Sequence, residues 1–235
     1  SLKLWETLSQ DLNYNVMFSQ RGVLNLVHSD SAIDAAMRRG NAMRLNGIDA
    51  QWLNPQEIQT RAPLLRIKND GYLPILGGLL QPRAGTARHD AVAWGYARGA
   101  NTRGVDIIQN CEVTGIKTKN GKVCGVETTK GAIKTKKIGV AVAGHSSHVM
   151  KMVGMKLPIE SHVLQAMVSE PVKPCLDTVI TSGVAHLYIS QSDKGELVFG
   201  GDLDFYNSYA QRGNFPTIEH VVSSILFLFP SFSRL

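Results

Sequence analysis

The sequence is poor in cysteine and lacks several signatures that would assign a function at once. Only three cysteines occur among 235 residues, at positions 111, 124 and 175, and no two of them form a C-x-x-C pair. This pattern argues against a disulfide framework and a structural zinc site, so we expect no metal and a cytoplasmic location. The longest apolar run, residues 225–229, is far too short to cross a bilayer, so we expect no membrane partner.

The composition is that of a globular protein with one large domain or two modest ones. Hydrophobic residues make up 43% of the chain and charged residues 19%. The formal charge is +6, and seven lysines fall between Lys117 and Lys137. Apolar residues alternate with these lysines around an Asn120–Gly121 turn, which predicts a hairpin with one solvated face. Since clustered arginines and interleaved aromatics are missing, we expect no nucleic-acid partner.

The two ends of the sequence do not look like domain boundaries. The chain has no initiator methionine, and it stops just after an apolar segment that ends at Pro230. Domain boundaries are normally polar and loop-like. We therefore expect an internal fragment with parts of its fold missing on both sides.

Local patterns predict a mixture of helices and strands. Asn54, Pro55 and Glu57 form a strong helix start, and Asp90 is placed to cap a second helix. Apolar runs predict strands at 105–108 and 138–143, and a hairpin at 186–200 with its turn at 192–195. A closing helix is predicted at 216–229.

The first candidate site lies at residues 81–90. It holds His89 between Arg88 and Asp90 at a predicted loop-to-helix junction. A neutral imidazole is a nucleophile, and a flanking cation and carboxylate can orient it and set its protonation. The other interpretation is a histidine that only caps or hydrogen-bonds at the helix start, which residue chemistry alone favours.

The second candidate site follows the strand predicted at 138–143. Gly144 and small hydroxyl residues would open a helix there, an arrangement that can receive the pyrophosphate of a dinucleotide. The stronger G-x-G-x-x-G fingerprint is absent from the sequence, and an ordinary turn explains the pattern equally well.

The third candidate site is a polar strand face. His186, Tyr188 and Ser190 would share one side of a strand, as the walls of a small-substrate pocket do. A half-exposed strand with a wet face is the alternative, and the pattern alone slightly favours it.

Five segments also carry a resemblance to a known family: residues 18–26, 81–85, 105–115, 143–147 and 192–198. On these the chain resembles the beta subunits of heterotetrameric sarcosine oxidases, within the D-amino-acid-oxidase-like flavoproteins. The resemblance implies a mixed α/β fold, in which an incomplete Rossmann-like FAD-binding domain is interleaved with an antiparallel-sheet substrate domain. It implies substrate-domain residues at 1–80, FAD-binding residues with the FMN loop at 81–157, and the substrate-domain sheet with a closing helix at 158–235.

The resemblance further implies a division of labour between two flavins. A non-covalent FAD would oxidise sarcosine or a similar N-methyl amino acid, and a covalent FMN would pass the electrons to O2, giving H2O2. The position that matches the FMN-bearing histidine is His89, with Arg88 and Arg83 expected beside the FMN. The family also implies alpha, gamma and delta subunits as partners, with the FMN between the beta and alpha subunits.

The same resemblance assigns the FAD and substrate residues. Val113, Ala143 and Gly144 match positions that contact FAD, while Tyr188 and His186 match the sheet face over which substrate binds. The family's glycine fingerprint and its substrate-carboxylate arginine are not found in this sequence, so we expect the isolated fragment to be inactive.

Two alternatives stay open at this point. One is a single-FAD amine oxidase or dehydrogenase of the dimethylglycine, glycine or D-amino acid type, against which residues 84–89 argue. The other is a non-catalytic fragment that keeps a flavoprotein fold, against which the intact His89 argues weakly.

Overall fold

The computed structural model describes residues 1–68 and 71–234, which divide into two compact units. Unit 1 comprises residues 1–103, 164–203 and 213–235, and unit 2 comprises residues 104–163 and 204–212. The helices of the described residues are α1 (Leu2–Asp11), α2 (Asp30–Leu45), α3 (Pro55–Arg61), α4 (His89–Asn101), α5 (Ser146–Lys151) and α6 (Phe215–Leu228), with 3-10 turns at Ala143–His145 and Pro230–Arg234. The strands are β1 (Val23–Val27), β2 (Gln51–Leu53), β3 (Gly77–Gln81), β4 (Val113–Lys119), β5 (Lys122–Thr128), β6 (Gly131–Lys134), β7 (His162–Pro171), β8 (Val179–Ser182), β9 (Leu187–Gln191) and β10 (Glu196–Asn207).

Unit 1 is built on a seven-stranded sheet with the order β2-β3-β1-β8-β9-β10-β7. Among the pairs with a described register, β1 and β8 run parallel, while β1–β3, β2–β3, β8–β9 and β9–β10 run antiparallel. The sheet is therefore mostly antiparallel, and the prediction of a mixed α/β chain is confirmed.

One face of this sheet carries the hydrophobic core. Strand residues that include Leu24, Ile180 and Ile189 are each at most 1% exposed there. Helices α3 and α6 cover them through Ile58 and Val221, with Phe229 closing the end of α6. The predicted start of α3 is confirmed, because the Asn54 side chain accepts from the Glu57 N–H and the Glu57 carboxylate accepts from the Asn54 N–H.

The opposite face, called the open face below, is only partly covered. Register places Asn25 of β1, Thr181 of β8 and Tyr188 of β9 side by side on it. Helix α2 packs on this face near β3, where Gly40 approaches Leu79. Farther along, alternation in β7 leaves Leu164 69% exposed and Val168 64% exposed.

A buried histidine follows β1. His28 donates from Nδ1 to the Pro74 carbonyl at 2.9 Å and accepts at Nε2 from the Ser182 hydroxyl at 2.8 Å. Burial lowers the pKa of His28, although backbone hydrogen bonds to Pro74 and Leu73 oppose the shift. The imidazole is therefore held neutral as a structural link between β1 and β8.

Unit 2 contains a three-stranded antiparallel sheet, β4-β5-β6. Its first turn has positive φ at both Asn120 (51°) and Gly121 (70°), as a tight hairpin turn requires, so the predicted hairpin is confirmed. Lys117 pairs with Glu127 at 3.0 Å on this exposed sheet.

The predicted strands at 105–108 and 138–143 are wrong for the described chain. Both runs lack strand structure, and Val105, Ile108 and Val140 are 49%, 52% and 38% exposed. A buried strand needs hydrogen-bonded neighbours on its edges. Among the described residues of unit 2, strand pairing involves only β4, β5, β6 and the parts of β7 and β10 that fall in this unit, and none of these takes up the two runs.

Candidate active site

Residues 82–88, called the His89 loop below, join β3 to α4 and are tied to the segment that precedes β1. Ser19 and Thr86 exchange two backbone hydrogen bonds, of 2.8 and 3.0 Å, in an isolated antiparallel bridge. The Gly22 N–H donates to the Ala84 carbonyl at 2.7 Å. A Cβ on Gly85 would lie 1.7 Å from the Ser19 carbonyl oxygen, so only glycine allows this approach.

Arg83 fastens the same loop to α1. Its guanidinium makes a two-pronged ion pair with Glu6, with Nε donating to Oε1 at 2.8 Å and Nη2 donating to Oε2. Its Nη1 lies 3.5 Å from a carboxylate oxygen of Asp49. The Arg83 hydrogen bond, followed by one from Gln20, lowers the pKa of Glu6. To hold a flavin phosphate, as the resemblance implies, Arg83 would have to leave these carboxylates.

His89 is the first residue of α4 and is exposed. No hydrogen bond or ion pair joins its imidazole to another described residue. Arg88 and Asp90 pair with each other, Nε to Oδ1 and Nη2 to Oδ2, both at 3.0 Å. The Arg88 contact, together with the Ala91 N–H, lowers the pKa of Asp90. Asp90 lies inside the first turn rather than at the predicted cap, since Arg88 is the residue before the helix.

Helix α4 packs through small residues and leaves its aromatic residues outside. Ala91, Gly95 and Gly99 form its buried stripe, and a Cβ on Gly95 would lie 3.2 Å from side-chain atoms of Leu12 and Tyr14. Trp94 and Tyr96, in contrast, are 54% and 49% exposed. The two exposed aromatic residues are two positions apart in the helix, so they lie on different sides of it.

Tyr188 lies half-exposed on the open face, as predicted, and Ser190 shares that face. The Thr181 hydroxyl, in the neighbouring strand, donates to Asn25 Oδ1 at 2.7 Å. No hydrogen bond to the Tyr188 hydroxyl is formed by the described residues, so the phenol is available to a ligand. His186 is not on the strand, because β9 begins at Leu187 and His186 has a φ of 45°. The predicted strand boundary is wrong by one residue because the chain leaves the turn there in a left-handed conformation.

A pair of glycines brings β10 close to these two residues. A Cβ on Gly200 would lie 3.0 Å from the Tyr188 hydroxyl, and one on Gly201 would lie 2.1 Å from the His186 carbonyl oxygen. Gly201 also has a φ of 142°, which favours glycine. Sequence reasoning missed this contact, although two adjacent glycines inside an apolar strand are a signal for close backbone approach.

The residues predicted to contact FAD lie in unit 2. Val113 begins β4, opposite Thr128, and is 36% exposed. Ala143 has a φ of 46° in the 3-10 turn, and the Gly144 carbonyl accepts from the Ser161 hydroxyl at 2.5 Å. The turn thus has an unusual backbone conformation, and Ala143 and Gly144 are exposed.

A second polar group missed by sequence reasoning is Gln81, the last residue of β3. It is 8% exposed, and its Oε1 has no hydrogen-bond partner among the described residues. A buried acceptor without a donor is costly unless a ligand or water supplies one. Gln81 directly precedes the His89 loop, so this acceptor lies next to the candidate site in sequence.

Comparison with known proteins decides the family. The FAD dependent oxidoreductase family, DAO, matches residues 1–235. The chain belongs to this family. It is 62% identical over 234 residues to a sarcosine oxidase subunit beta of Rhizobium meliloti, covering 100% of this chain and 56% of that protein. It is 50% identical to a sarcosine oxidase subunit beta of Arthrobacter, covering 100% of this chain and 58% of that protein.

The fold of this DAO family member also matches solved structures. Its structure superposes on L-proline dehydrogenase from P. horikoshii with a TM-score of 0.89 at 22% identity, covering 99% of this chain and 62% of that one. The resemblance to sarcosine oxidase beta subunits and the flavoprotein fold are thus confirmed. The chain spans little more than half the length of the curated relatives that it matches.

Residues 1–68 and 71–234 contain no cluster of three or more His, Cys, Asp or Glu side chains that could hold a metal ion. None of the helices in the same ranges has the length and apolar character that crossing a bilayer requires.

Proposed function

We propose that the full gene product containing this chain is the beta subunit of a sarcosine oxidase that demethylates sarcosine or a similar N-methyl amino acid. The observation that carries the proposal is the high identity to sarcosine oxidase beta subunits along the whole chain. When bound, FAD would supply the two-electron, two-proton oxidation of the substrate to an imine, which water would hydrolyse to glycine and formaldehyde, and FMN would supply the transfer of the two electrons, with two protons, to O2 as H2O2.

His89 is the proposed attachment point for FMN. Its imidazole is exposed and without partners among the described residues, so a ring nitrogen is free to form a covalent bond. It stands at the N-terminus of α4, where unpaired N–H groups favour a nearby negative charge. Arg88 lies one residue away with a 54% exposed side chain, and it would meet the FMN only by leaving its ion pair with Asp90.

Substrate is proposed to lie over the open face. The phenol of Tyr188 can donate a hydrogen bond to the substrate carboxylate or accept one from its amine. His186, the last residue of the turn that precedes β9, is exposed. The close approach of Gly200 leaves no side chain to fill the space next to the Tyr188 hydroxyl.

FAD is proposed to contact unit 2. Val113 and the turn of Ala143 and Gly144 would meet it through backbone groups. The exposed apolar runs at 105–108 and 138–142 need strand neighbours, and the curated relatives are longer than this chain. We propose that these runs become strands of the FAD-binding sheet in the full protein.

Assembly with alpha, gamma and delta subunits in the cytoplasm is part of the proposal. An exposed aromatic surface is a frequent feature of protein interfaces. Trp94 and Tyr96 are exposed on different sides of the helix that begins with His89, and either one can contribute an aromatic contact to an alpha subunit docked beside the FMN.

One specific observation favours a second candidate, a single-FAD amine oxidase or dehydrogenase. Arg83 and Arg88 are both engaged with carboxylates, so neither guanidinium is free for an FMN phosphate. In that case His89 would be a helix-start residue and only FAD would bind.

The deciding experiment uses the full gene product coexpressed with its neighbouring subunits. The purified complex is denatured and digested, and the peptide containing His89 is weighed. An added FMN mass, absent from His89→Ala, supports the two-flavin oxidase. If all flavin is released on denaturation and sarcosine oxidation is retained, the result supports the single-FAD enzyme. A complex with neither flavin nor turnover would refute both the two-flavin oxidase and the single-FAD enzyme.

A further inference from the structure

The His89 loop is fastened to the N-terminal segment at three separate points. The Ser19–Thr86 bridge and the Gly22–Ala84 hydrogen bond hold its backbone. The third point is the Arg83 side chain, whose guanidinium grips the Glu6 carboxylate. Gln20 completes the third point, because its Nε2 donates both to Glu6 Oε1 and to the Arg83 carbonyl, each at 2.8 Å.

The helix that supplies Glu6 is itself held in place. Leu8 of α1 is 4% exposed, and the ring of Trp5 lies 5.7 Å from the ring of Phe18. Phe18 directly precedes Ser19 of the bridge. The anchor therefore rests on packed structure rather than on a mobile terminus.

Covalent attachment depends on the position of one imidazole nitrogen. It forms a bond between that nitrogen and a methyl carbon of the flavin, with loss of an N–H and a C–H proton. The two electrons released enter the flavin ring, and O2 then removes them as H2O2. The rate of such a step falls steeply when the reacting atoms are displaced by about 1 Å.

We propose that Glu6, Arg83 and Gly85 are positioning residues that present His89 to the FMN, and that Arg83 acts through Glu6 rather than by binding the FMN phosphate. This inference rests on the proposed attachment of FMN to His89. Both prongs of the Arg83 guanidinium are already directed at Glu6, and its remaining nitrogen faces Asp49. The loop bearing Arg83 has no side chain at residue 85 because its backbone must touch Ser19.

The test is a double-mutant cycle in the full complex with Glu6→Gln, Arg83→Gln and the double variant. The readout is the fraction of FMN that stays on the protein after acid precipitation, at a fixed early time after induction. If Arg83 works through Glu6, each single variant lowers this fraction by about two- to fivefold, as expected for a partly exposed ion pair, and the double variant is no worse.

Gly85→Ala gives a second, independent measurement. The added Cβ forces the Ser19–Thr86 bridge apart, so the covalent fraction should fall at least about tenfold. Gly183→Ala is the matched control, since a Cβ there meets nothing within 4 Å. FAD content and melting temperature, measured on every variant, should stay near wild type for the two glutamine substitutions, which separates positioning from loss of the fold.

The outcomes separate the two proposals. If wild type carries covalent FMN but Arg83→Gln abolishes it while Glu6→Gln leaves it unchanged, Arg83 binds the flavin directly and the positioning role is overturned. Unchanged covalent FMN in Gly85→Ala and in both glutamine variants also overturns it. Absence of covalent FMN from wild type would remove the proposed function together with this inference.

Discussion

Gln191, at the end of β9, holds together a segment that no sequence pattern singled out. Its Oε1 accepts from the Cys175 and Leu176 N–H groups at 2.7 and 3.1 Å. Its Nε2 donates to the carbonyls of Val172, Lys173 and Gly195 at 3.3, 3.1 and 2.9 Å. The side chain is the hub of five backbone contacts, and Gln191 is only 5% exposed.

The substitution Gln191→Met keeps the size of the side chain and removes all five contacts. The Gly195 carbonyl keeps the Val172 N–H at 3.1 Å, and water can reach the outer carbonyls of residues 172 and 173. Two N–H groups, those of Cys175 and Leu176, lose their acceptor. At about 1–3 kcal/mol for each buried unsatisfied group, the free energy of unfolding should fall by about 2–6 kcal/mol.

Equilibrium urea unfolding of the purified protein measures this loss. Gln59→Met is the matched control, because Gln59 also donates to two backbone carbonyls but is exposed, so its loss should stay within about 1 kcal/mol. A change below about 1 kcal/mol in Gln191→Met would refute the reasoning that buried amide satisfaction, rather than packing alone, stabilises this segment.

Three further predictions concern stability. Burial lowers the pKa of His28, so the unfolded chain binds the proton more readily than the folded chain does. Stability should be full above about pH 6.5 and fall as the pH drops below it, and the fall should be less steep in His28→Gln. An equal slope in the two proteins would count against a buried neutral imidazole. Burial alone would raise the pKa of Asp202, but the His220 hydrogen bond at 2.6 Å and a backbone N–H hold it low. The substitution His220→Ala should therefore lower the free energy of unfolding at pH 7, measured in urea, by about 1–3 kcal/mol. An unchanged free energy of unfolding would contradict a stabilising pair between His220 and Asp202. Gly201→Ala places a Cβ 2.1 Å from a backbone oxygen at a φ of 142°, so its unfolding midpoint should drop by the equivalent of about 2 kcal/mol or more. The control Gly183→Ala should stay near wild type. Equal midpoints for the two variants would show that the strand relaxes freely around the added Cβ.

Elements with a local chemical signal could be predicted from the sequence. The capping residues around Asn54 and the Asn120–Gly121 turn act within a few residues of the chain, and both are present as expected. Apolar character alone predicts strands at 105–108 and 138–143. It indicates a tendency toward burial but not the presence of a neighbouring strand. Their exposure shows that a strand depends on partners elsewhere in the chain.

The residues of the candidate site also divide into those with a local sequence signal and those whose contacts depend on the whole fold. His89 at a helix start and Tyr188 on a half-exposed strand face follow from local order and alternation. The ion pair between Arg83 and Glu6 could not be predicted, because it joins residues far apart in sequence. The Oε1 of Gln81, which has no partner among the described residues, could not be predicted either, because its burial depends on which groups the fold brings around it. The sequence therefore predicts Arg83 as a cofactor ligand without showing that its guanidinium pairs with Glu6, and the prediction stays untested.

The charge balance of the His89 loop bears directly on where an FMN phosphate could be held. Arg83 faces Glu6 and Asp49, and Arg88 faces Asp90, so the ion pairs of the loop carry no spare positive charge. A phosphate monoester brings a charge of about −1.5 to −2 at pH 7. If FMN is attached at His89, the compensating cations must come either from rupture of these pairs or from another surface. Because the Arg83 pair is one of the three loop fastenings, its rupture would also loosen the loop, so the second source costs less, and in that case we expect a docked partner subunit to supply the phosphate's cationic ligands.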